Sequence, residues 1–306
     1  MADRDVQVDV WLKDNLTPWD VYDHGISRIL LHQHTAFQEM LLVETGAYGK
    51  ALILDGKWQS CTGDEFLYHE PLVQPALICH QTPKNVLVLG GGEGATVREI
   101  LRWHTVERVV MVDIDGEVVA ACREWLPEMH GGAFDDPRLE LVIGDALDYV
   151  AAAQRQWDVI ISDLSDPIEA GPSFALFTQE FFRDLQNLLS PGGLLVVQAG
   201  SVAIAALTLH ARLAKTLQTL FPHVVSYCST IPTFGEPWGF LLCGDQPIEH
   251  HPDPAAVDQL LAERTRGGLR AIDGMTLLGM LQTPRYMREA IAHEQQIYTL
   301  AHPPQI

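Results

Sequence analysis

The chain has 306 residues, of which 47% are hydrophobic and 20% are charged. This composition is typical of a globular protein and excludes disordered, fibrous and repetitive chains. Forty acidic residues against 20 basic ones give a formal charge of −20. Such a charge argues against nucleic acid and anionic lipid as partners and would attract cationic ligands, although charge alone is more simply explained by a role in solubility.

The five cysteines are odd in number, far apart and without a C-x-x-C pair. This pattern predicts neither a disulfide framework nor a zinc site, and it favours a reducing compartment. The first residues, Met1 to Asp5, lack the apolar core of a signal peptide, and no apolar run is long enough to span a membrane. We therefore expect a cytoplasmic protein without a membrane partner.

Residues 1–75 are predicted to form a small N-terminal domain with an antiparallel β-sheet. Residues 37–44 (FQEMLLVE) and 48–54 (YGKALIL) are apolar segments, and Asp55-Gly56 offers a tight turn before a third extended segment. No long helical pattern intervenes. We interpret this domain as a lid or an oligomer contact.

From about residue 84 the pattern changes, and residues 76–306 are predicted to form a second, catalytic domain. Apolar strands are expected at residues 86–89, 109–112, 139–143, 159–162 and 194–198, and helices at about 95–103, 116–125, 146–153, 178–189 and 202–221. This alternation predicts an α/β fold with a doubly wound, mainly parallel sheet of the methyltransferase-like Rossmann type. Residues 224–231 and 239–244 should close the sheet as an antiparallel pair, and the last 60 residues should be helical.

A glycine-rich turn follows the first strand of this second domain. Gly90-x-Gly92-x-x-Ala95 has the spacing of a nucleotide-binding turn, in which glycine lets the backbone approach a ligand closely. Glu93 inside the turn would repel a pyrophosphate and attract a sulfonium or an amine, such as those of decarboxylated S-adenosylmethionine. In the alternative interpretation, Glu93 points to water.

Four carboxylates follow the predicted strand ends, where doubly wound sheets bind their ligands. Asp113 is placed to accept hydrogen bonds from two ribose hydroxyls. Asp145 is placed either to accept a hydrogen bond from an adenine amino group or to cap the helix that follows it. Asp163 and Asp166, in the segment DLSDP, either form an anionic cage with Glu93 or serve as turn-forming side chains.

Several separated motifs resemble those of the spermidine synthases, the polyamine aminopropyltransferases. They are GDEFLYHE at residues 63–70, GGGEGAT at 90–96, MVDID at 111–115 and DLSDP at 163–167. Gln38 and the segments Tyr48–Lys50 and Leu54–Gly56 also match. The resemblance covers roughly residues 20–300 and keeps the order of the family's motifs.

The resemblance implies a transferase that moves the aminopropyl group of decarboxylated S-adenosylmethionine to a polyamine and releases methylthioadenosine. The donor would be held by Gln38, Gly90, Gly92, Glu93, Asp113, Asp145, Ala146 and Pro172. The amine would be bound by Tyr68, His69, Glu93, Asp163, Asp166 and Phe234, with Asp163 as the proton acceptor. No metal and no cofactor other than this co-substrate is expected, and the family suggests a homodimer or homotetramer. Without the resemblance, His69 could equally satisfy a buried hydrogen bond.

Within the family, the sequence is most similar to the branch of thermospermine synthases and triamine or agmatine aminopropyltransferases. Leu164 replaces the more common Ser or Cys, and the segment at residues 168–175 is two residues longer than usual. Phe234 stands where a Tyr is usual, and Thr62-Gly63 replaces a usual Glu-Arg pair. The acceptor therefore stays open among putrescine, agmatine and spermidine.

Three other functions are compatible with parts of the pattern. A methyltransferase would use ordinary S-adenosylmethionine, whose carboxylate Glu93 would repel, and a NAD-dependent dehydrogenase is disfavoured by Glu93 and by the β-rich first domain. A non-catalytic polyamine-binding protein is disfavoured by the intact Asp163 and Asp166. The histidines, including His250-His251, show no paired ligand spacing, so no metal site is expected.

Overall fold

The computed structural model describes residues 10–167 and 174–304. These residues form two β-sheets and ten α-helices. Within these two ranges, no helix has both the length and the apolar character needed to cross a lipid bilayer.

The first sheet is an antiparallel meander. In the described part of the chain it has five strands in chain order, β1 (Val10–Asn15), β2 (Val21–His34), β3 (Glu39–Thr45), β4 (Gly49–Leu54) and β5 (Lys57–Cys61). Asp55 and Gly56 connect β4 to β5 with φ values of 47° and 75°, as a two-residue hairpin turn requires. The predicted antiparallel sheet at the start of the chain is confirmed.

Helix α1 (Phe66–His80) follows the first sheet, and the sequence pattern did not predict it. Pro71 and Pro75 lie inside it, and proline normally interrupts a helix because it lacks an N–H group. Pro75 leaves the carbonyl of Pro71 without a helical donor, and the hydroxyl of Tyr227 donates to that oxygen at 3.0 Å. Every residue from Tyr68 to Ile78 is buried, so packing outweighs the local penalty. The domain boundary that we predict at residue 75 falls inside this helix and stays a prediction.

The second sheet is doubly wound and mainly parallel. Its strands are β6 (Asn85–Gly90), β7 (Arg108–Asp113), β8 (Leu139–Ile143), β9 (Trp157–Asp163), β10 (Leu189–Ser201), β11 (His223–Thr230) and β12 (Pro237–Gly244). Among the described residues, they are arranged in the order β11-β12-β10-β9-β6-β7-β8. The strands from β6 to β10 run parallel, and β12 lies antiparallel to β10 and β11. The predicted Rossmann-like fold and its closing antiparallel pair are confirmed.

The remaining helices cover both faces of this sheet and form the end of the chain. They are α2 (Ala95–Ile100), α3 (Gly116–Trp125), α4 (Pro127–His130), α5 (Ala146–Ala152), α6 (Gln179–Asn187), α7 (Thr208–Gln218), α8 (Pro254–Arg264), α9 (Gly274–Met280) and α10 (Arg285–His293). Four of them, α2, α5, α6 and α7, are shorter than predicted. For α6 the reason is a cap, because the Thr178 side chain accepts the N–H of Phe181 and so begins the helix one residue later.

Apolar side chains cover both faces of the second sheet. On β6, Val86 and Val88 belong to the core shared with α1, whereas Leu87 and Leu89 belong to the core shared with α6 and α7. All four side chains are fully buried. Burial on both faces explains why the parallel strands read as continuous apolar runs in the sequence.

A smaller apolar core joins the first sheet to the second. It contains Met40 and Leu42 of β3, Leu52 of β4, and Val118 and Cys122 of α3. Because α3 follows β7, this packing brings β3 and β4 to the carboxyl ends of the parallel strands, where the candidate site lies.

Candidate active site

A cavity of about 530 Å³ lies between the two sheets, at the carboxyl ends of β6, β7 and β9. The strand order reverses between β6 and β9, which is the usual ligand position in a doubly wound sheet. Most of the site residues predicted from the sequence line this cavity, namely Gln38, Tyr68, Gly90, Gly92, Glu93, Asp113, Asp145, Ala146, Asp163, Asp166 and Phe234. His69 lies behind the cavity wall, and Pro172 lies outside the described residues.

Gly90 and Gly92 let the loop after β6 pass close to two carboxylates. Gly90 has a φ of 83°, and a Cβ atom on it would lie 2.2 Å from the backbone oxygen of Asp163. A Cβ atom on Gly92 would lie 3.0 Å from Oδ2 of Asp113. A larger residue at position 90 would therefore displace the end of β9, whereas one at position 92 would press against the side chain of Asp113.

Asp113 ends β7 at the half of the cavity where the donor is expected. Its Oδ1 accepts a hydrogen bond from the N–H of Asp115 at 2.9 Å. Burial, together with the charges of Glu93 and Asp115, raises the pKa of Asp113 to about 6. Gln38 reaches the same strand end, where its Nε2 donates to Asp115 Oδ2 at 3.0 Å, and Thr35 Oγ1 donates to the same oxygen at 2.6 Å. The loop between β2 and β3 is thereby held at the end of β7.

Asp145 caps α5, because its Oδ1 accepts a hydrogen bond from the N–H of Leu147 at 2.8 Å. It also lines the cavity beside the buried Ala146. Of the two interpretations of Asp145, helix capping is observed, and the contact with adenine stays a prediction.

The carboxylate of Asp163 is oriented by two hydroxyl groups. Tyr68 Oη donates to Oδ1 at 2.7 Å, and Thr96 Oγ1 donates to Oδ2 at 2.6 Å. Burial and the negative charge of Glu93 raise the pKa of Asp163, while His69 and the two hydroxyls oppose this effect. A carboxylate with a raised pKa and a defined orientation is suited to accept a proton from an amine.

Thr96 is a site residue that the sequence analysis did not assign. It lies in the GGGEGAT motif at the start of α2. The signal that could have identified it is its position one turn beyond the glycine loop, facing the neighbouring strand end.

Asp166 contacts Gln198, which the sequence analysis also left unassigned. Gln198 Nε2 donates to Asp166 Oδ1 at 3.0 Å, and Gln198 Oε1 accepts from Trp238 Nε1 at 3.0 Å. Burial raises the pKa of Asp166. Gln198 lies near the end of the parallel strand β10, and that position was the available sequence signal.

Three aromatic side chains form one wall of the cavity. The ring centroids of Tyr68 and Phe234 lie 5.8 Å apart, and those of Phe234 and Trp238 lie 5.0 Å apart. Aromatic faces attract ammonium groups and offer apolar surface to methylene chains. The wall is therefore suited to an extended aliphatic amine.

Carboxylates dominate the charge of the cavity. In addition to the predicted residues, Asp14, Asp55 and Glu236 line it. Among the described lining residues, Lys57 is the one basic side chain, and its Nζ lies 2.7 Å from Oδ1 of Asp14. The excess negative charge repels anions such as phosphates and attracts cations.

His69 is fully buried between two carboxylates. Its Nδ1 lies 3.0 Å from Oε2 of Glu65, and its Nε2 lies 2.8 Å from Oε1 of Glu93. Burial alone would lower the pKa of His69, but these two carboxylates raise it to about 10. The buried hydrogen bond that we considered for His69 is observed, and its contact with an amine stays a prediction.

Two groups among the described residues bring three potential metal-ligand atoms within 4.8 Å of one another. One is the buried group of His69, Glu93 and Asp163, and the other is the exposed group of His32, His34 and Glu39. The sequence analysis overlooked His32 and His34, which are alternate residues of β2 and therefore share a face. A hydrogen bond of 2.7 Å joins His32 and Glu39 in the exposed group.

The fold, the glycine turn and the acidic cavity together define a group-transfer enzyme that binds a nucleoside and a cation. Residues 65–251 match the spermine/spermidine synthase domain, and residues 20–61 match the spermidine synthase tetramerisation domain. The chain belongs to the spermine/spermidine synthase family. The predicted enzyme class, a polyamine aminopropyltransferase, is confirmed.

Similar curated proteins cover nearly the whole chain. The polyamine aminopropyltransferase of Synechococcus sp. (strain JA-3-3Ab) is 55% identical and covers 97% of each chain. That of Sulfolobus acidocaldarius is 42% identical over 96% of this chain and 97% of its own length. Thermospermine synthase ACAULIS5 of Arabidopsis thaliana is 37% identical over 88% of this chain and 80% of its own.

Two solved structures with the same fold are spermidine synthases. One, a spermidine synthase in complex with the transition-state analogue AdoDATO, has a TM-score of 0.86 and 26% identity, covering 95% of this chain and 99% of that chain. The spermidine synthase from Thermotoga maritima has a TM-score of 0.84 and 26% identity, covering 95% of this chain and 98% of its own.

Proposed function

We propose that this chain transfers the aminopropyl group of decarboxylated S-adenosylmethionine to a polyamine and releases methylthioadenosine. The observation that carries the proposal is the carboxylate of Asp163, which is oriented by Tyr68 and Thr96 and lies within 4.8 Å of Glu93 in an acidic cavity. The similarity to relatives named polyamine aminopropyltransferase supports the same activity, as does the similarity to a spermidine synthase solved with a transition-state analogue.

The donor would lie along the glycine turn, with its adenosine part near Asp113 and Asp145 and its aminopropyl ammonium near Glu93. Ordinary S-adenosylmethionine carries an additional carboxylate, which would face Glu93 and be repelled. This charge arrangement favours the decarboxylated donor over the donor of a methyltransferase. The donor is consumed in each turnover, so it is a co-substrate and the proposed reaction requires no resident cofactor.

In the proposed reaction, the amine nitrogen attacks the methylene carbon next to the sulfonium. A C–N bond forms and the C–S bond breaks, and the sulfur keeps the electron pair of that bond. Methylthioadenosine leaves as a neutral thioether, so its departure needs no metal ion. An alkyl amine has a pKa of roughly 10, so the acceptor enters as an ammonium and must lose one proton.

Asp163 would accept this proton as the C–N bond forms. Transfer before attack, to a carboxylate with a pKa of about 4, would be uphill by about 6 units or roughly 8 kcal/mol. The raised pKa of Asp163 reduces this difference in pKa. Proton transfer that accompanies C–N bond formation, or that continues to water, avoids the remaining free-energy cost. Positioning of the two reactants would supply much of the rate.

The acceptor is proposed to be spermidine, giving thermospermine, or putrescine, giving spermidine, with agmatine as the alternative. The similarity to a thermospermine synthase favours spermidine. Glu236 extends the acidic lining beyond the predicted site residues, which offers a position for a further ammonium group. Phe234 lacks the hydroxyl that the family usually presents to the amine.

The proposal is tested by incubating the protein with decarboxylated S-adenosylmethionine and a panel of putrescine, agmatine and spermidine. Mass spectrometry detects methylthioadenosine and the product, and chromatography separates spermine from thermospermine. We expect release of methylthioadenosine with at least one amine. No release with any amine would contradict the proposal and favour a non-catalytic polyamine-binding protein. Tighter calorimetric binding of the carboxylated donor would favour a methyltransferase.

We further propose that the chain assembles into a homotetramer or homodimer through its first sheet and acts in the cytoplasm. The match of residues 20–61 to a tetramerisation domain supports the assembly. Trp11, Trp19 and Ile29 in the first sheet and its loop expose large apolar side chains, as a surface between subunits does. The five cysteines are free, which suits a reducing compartment.

A further inference from the structure

A buried chain of charged side chains extends from the active-site cavity into the protein. From the cavity inward it consists of Glu93, His69, Glu65, Arg98, Glu99 and Arg102. Acidic and basic groups alternate along it, and successive partners lie 2.7 to 3.0 Å apart. Apart from Arg102, these side chains are at most 10% exposed. Glu65 and Arg98 have no role in the proposed reaction, but His69 connects them to Glu93 in the active-site cavity.

The surroundings of His69 determine how many protons its ring carries. Nδ1 faces the backbone oxygen of Glu65 at 2.9 Å and its Oε2 at 3.0 Å, and Nε2 faces Oε1 of Glu93 at 2.8 Å. Carbonyl and carboxylate oxygens only accept hydrogen bonds, so both ring nitrogens must donate. A neutral imidazole has one N–H and would leave its other nitrogen facing an acceptor. With Glu65 and Glu93 ionised, the geometry therefore favours an imidazolium.

We propose that Glu65 is a positioning residue that keeps His69 doubly protonated, so that the imidazolium orients the ionised carboxylate of Glu93 toward the aminopropyl group of the donor. This inference rests on the proposed function, in which Glu93 contacts the donor. Arg98 keeps Glu65 in place through an ion pair of 2.7 Å. The hydrogen bond from Nε2 engages one oxygen of Glu93 and restricts rotation of its side chain.

The positive charge of His69 also matters for the neighbouring carboxylates. Oxygens of Glu93 and Asp163 lie within 4.8 Å of each other, and two buried carboxylates at this separation tend to share one proton. The imidazolium belongs to the same group of atoms and opposes this tendency, since its charge lowers the pKa of Asp163. The positive charge of His69 thus offsets part of the repulsion between the two carboxylates before the substrate cations arrive.

Titratable groups face His69 from each element packed against it. Glu65 and Tyr68 come from α1, Glu93 from the loop after β6, and Asp163 from β9. Burial favours the neutral ring, but the two carboxylates outweigh it and raise the pKa of His69 to about 10. The ring should therefore stay charged from about pH 6 to about pH 9 in the intact protein.

The substitution Glu65→Gln removes the charge and preserves the size of this side chain. Loss of an opposite charge at this distance should lower the pKa of His69 by about two units. We expect kcat/KM for the donor to fall as pH rises above about 8 and to approach the native value at about pH 6. A merely structural defect would lower activity without this dependence on pH.

Glu70→Gln is the matched control. Glu70 is also a buried glutamate of α1, but its carboxylate accepts the N–H groups of Arg270, Ala271 and Ile272, away from the cavity. This variant should lose stability and keep the native pH profile. The same alkaline loss in both variants would contradict a specific role for Glu65.

Nitrogen-15 NMR of protein labelled at histidine reads the protonation of His69 directly, with His69→Gln used to assign its signals. Both ring nitrogens should carry protons from about pH 6 to about pH 9 in the native protein, and the ring should titrate in this range in Glu65→Gln. A neutral His69 in the native protein at about pH 7 would overturn the proposal, as would native signals and a native pH profile in Glu65→Gln. The native spectrum still tests whether His69 is doubly protonated if Glu65→Gln does not fold. Absence of aminopropyl transfer would contradict the proposed function alone, because the spectrum does not depend on turnover.

Discussion

At the scale of single residues, the site depends on carboxylates held in unfavourable surroundings. Burial raises the pKa of Asp113, Asp163 and Asp166, because a charged carboxylate loses hydration at a strand end enclosed by two sheets. Cationic and hydroxyl groups of the substrates would replace part of that hydration. The same features that weaken the free protein would therefore favour substrate binding.

Asp163 is expected to be essential for turnover and dispensable for donor binding. Asp163→Asn should lower kcat by about 10²- to 10⁴-fold, the usual contribution of a general base, because an amide cannot accept the proton. Calorimetry without an amine should still detect binding of decarboxylated S-adenosylmethionine. Asp158→Asn is the matched control, because Asp158 lies at the opposite end of β9 and accepts the N–H groups of Lys84 and Asn85. Native turnover in Asp163→Asn would exclude Asp163 as the proton acceptor.

Asp113 should show opposite effects on stability and on donor binding. Its pKa of about 6 in the folded protein lies above the unfolded value of about 3.9. The protonated form therefore favours folding, and this contribution is complete below about pH 4 and lost as pH rises through about 6. Asp113→Asn should raise the free energy of unfolding by about 1 to 3 kcal/mol at about pH 8 and leave it unchanged at about pH 4. Urea denaturation at both pH values tests this, and calorimetry should show weaker donor binding.

At the scale of secondary-structure elements, local sequence rules and tertiary packing disagree at α1. Two prolines argue against a helix there, but the hydroxyl of Tyr227 satisfies the carbonyl that Pro75 leaves unpaired, and burial stabilises the rest. This helix carries Glu65 at its N-cap, followed by Tyr68 and His69, so it delivers three side chains to the site and its supporting network. Because α1 packs on the second sheet, we propose that the boundary between the two domains precedes Phe66.

The glycine turn after β6 provides a prediction at this scale. Gly90 and Gly192 have similar φ values, 83° and 81°, but a Cβ atom on Gly192 would meet nothing within 4 Å. Gly192→Ala should therefore lose about 1 kcal/mol from the left-handed backbone alone. Gly90→Ala adds a clash with the backbone of Asp163, so it should lose more stability in urea denaturation and most of its turnover. Native turnover in Gly90→Ala would show that the turn does not position Asp163.

At the scale of the whole molecule, the negative charge suits small cationic ligands, whereas the exposed apolar side chains suit contact with another subunit. Part of the formal charge of −20 comes from carboxylates that line the cavity, where they would attract polyamines and the sulfonium donor. Exposed apolar side chains such as Trp11 and Ile29 instead lie on the first sheet, of which residues 20–61, including Ile29, match a tetramerisation domain.

The proposed assembly surface can be tested with one added charge. Ile29 of β2 is 53% exposed, and Ile204, which lies outside the first sheet, is 87% exposed. Ile29→Asp should shift the protein toward smaller species in sedimentation velocity, because each subunit interface would then bury a carboxylate. Ile204→Asp should sediment like the native protein. Identical sedimentation of both variants and the native protein would place the interface elsewhere.

The fold class and the strand ends at which Asp113, Asp145 and Asp163 lie could be predicted from local patterns in the chain. Both follow from local patterns, because continuous apolar strands alternate with helices and the carboxylates come directly after those strands. The hydrogen-bond partners and the surroundings of these carboxylates, in contrast, depend on the tertiary structure. Tyr68 and Thr96 donate to Asp163 from 95 and 67 residues away, and Glu65 controls Glu93 through His69. Contacts between residues so far apart in the chain produce no periodic sequence pattern. Burial shifts the pKa values of Asp113 and Asp163, and it arises only when the two sheets enclose these groups.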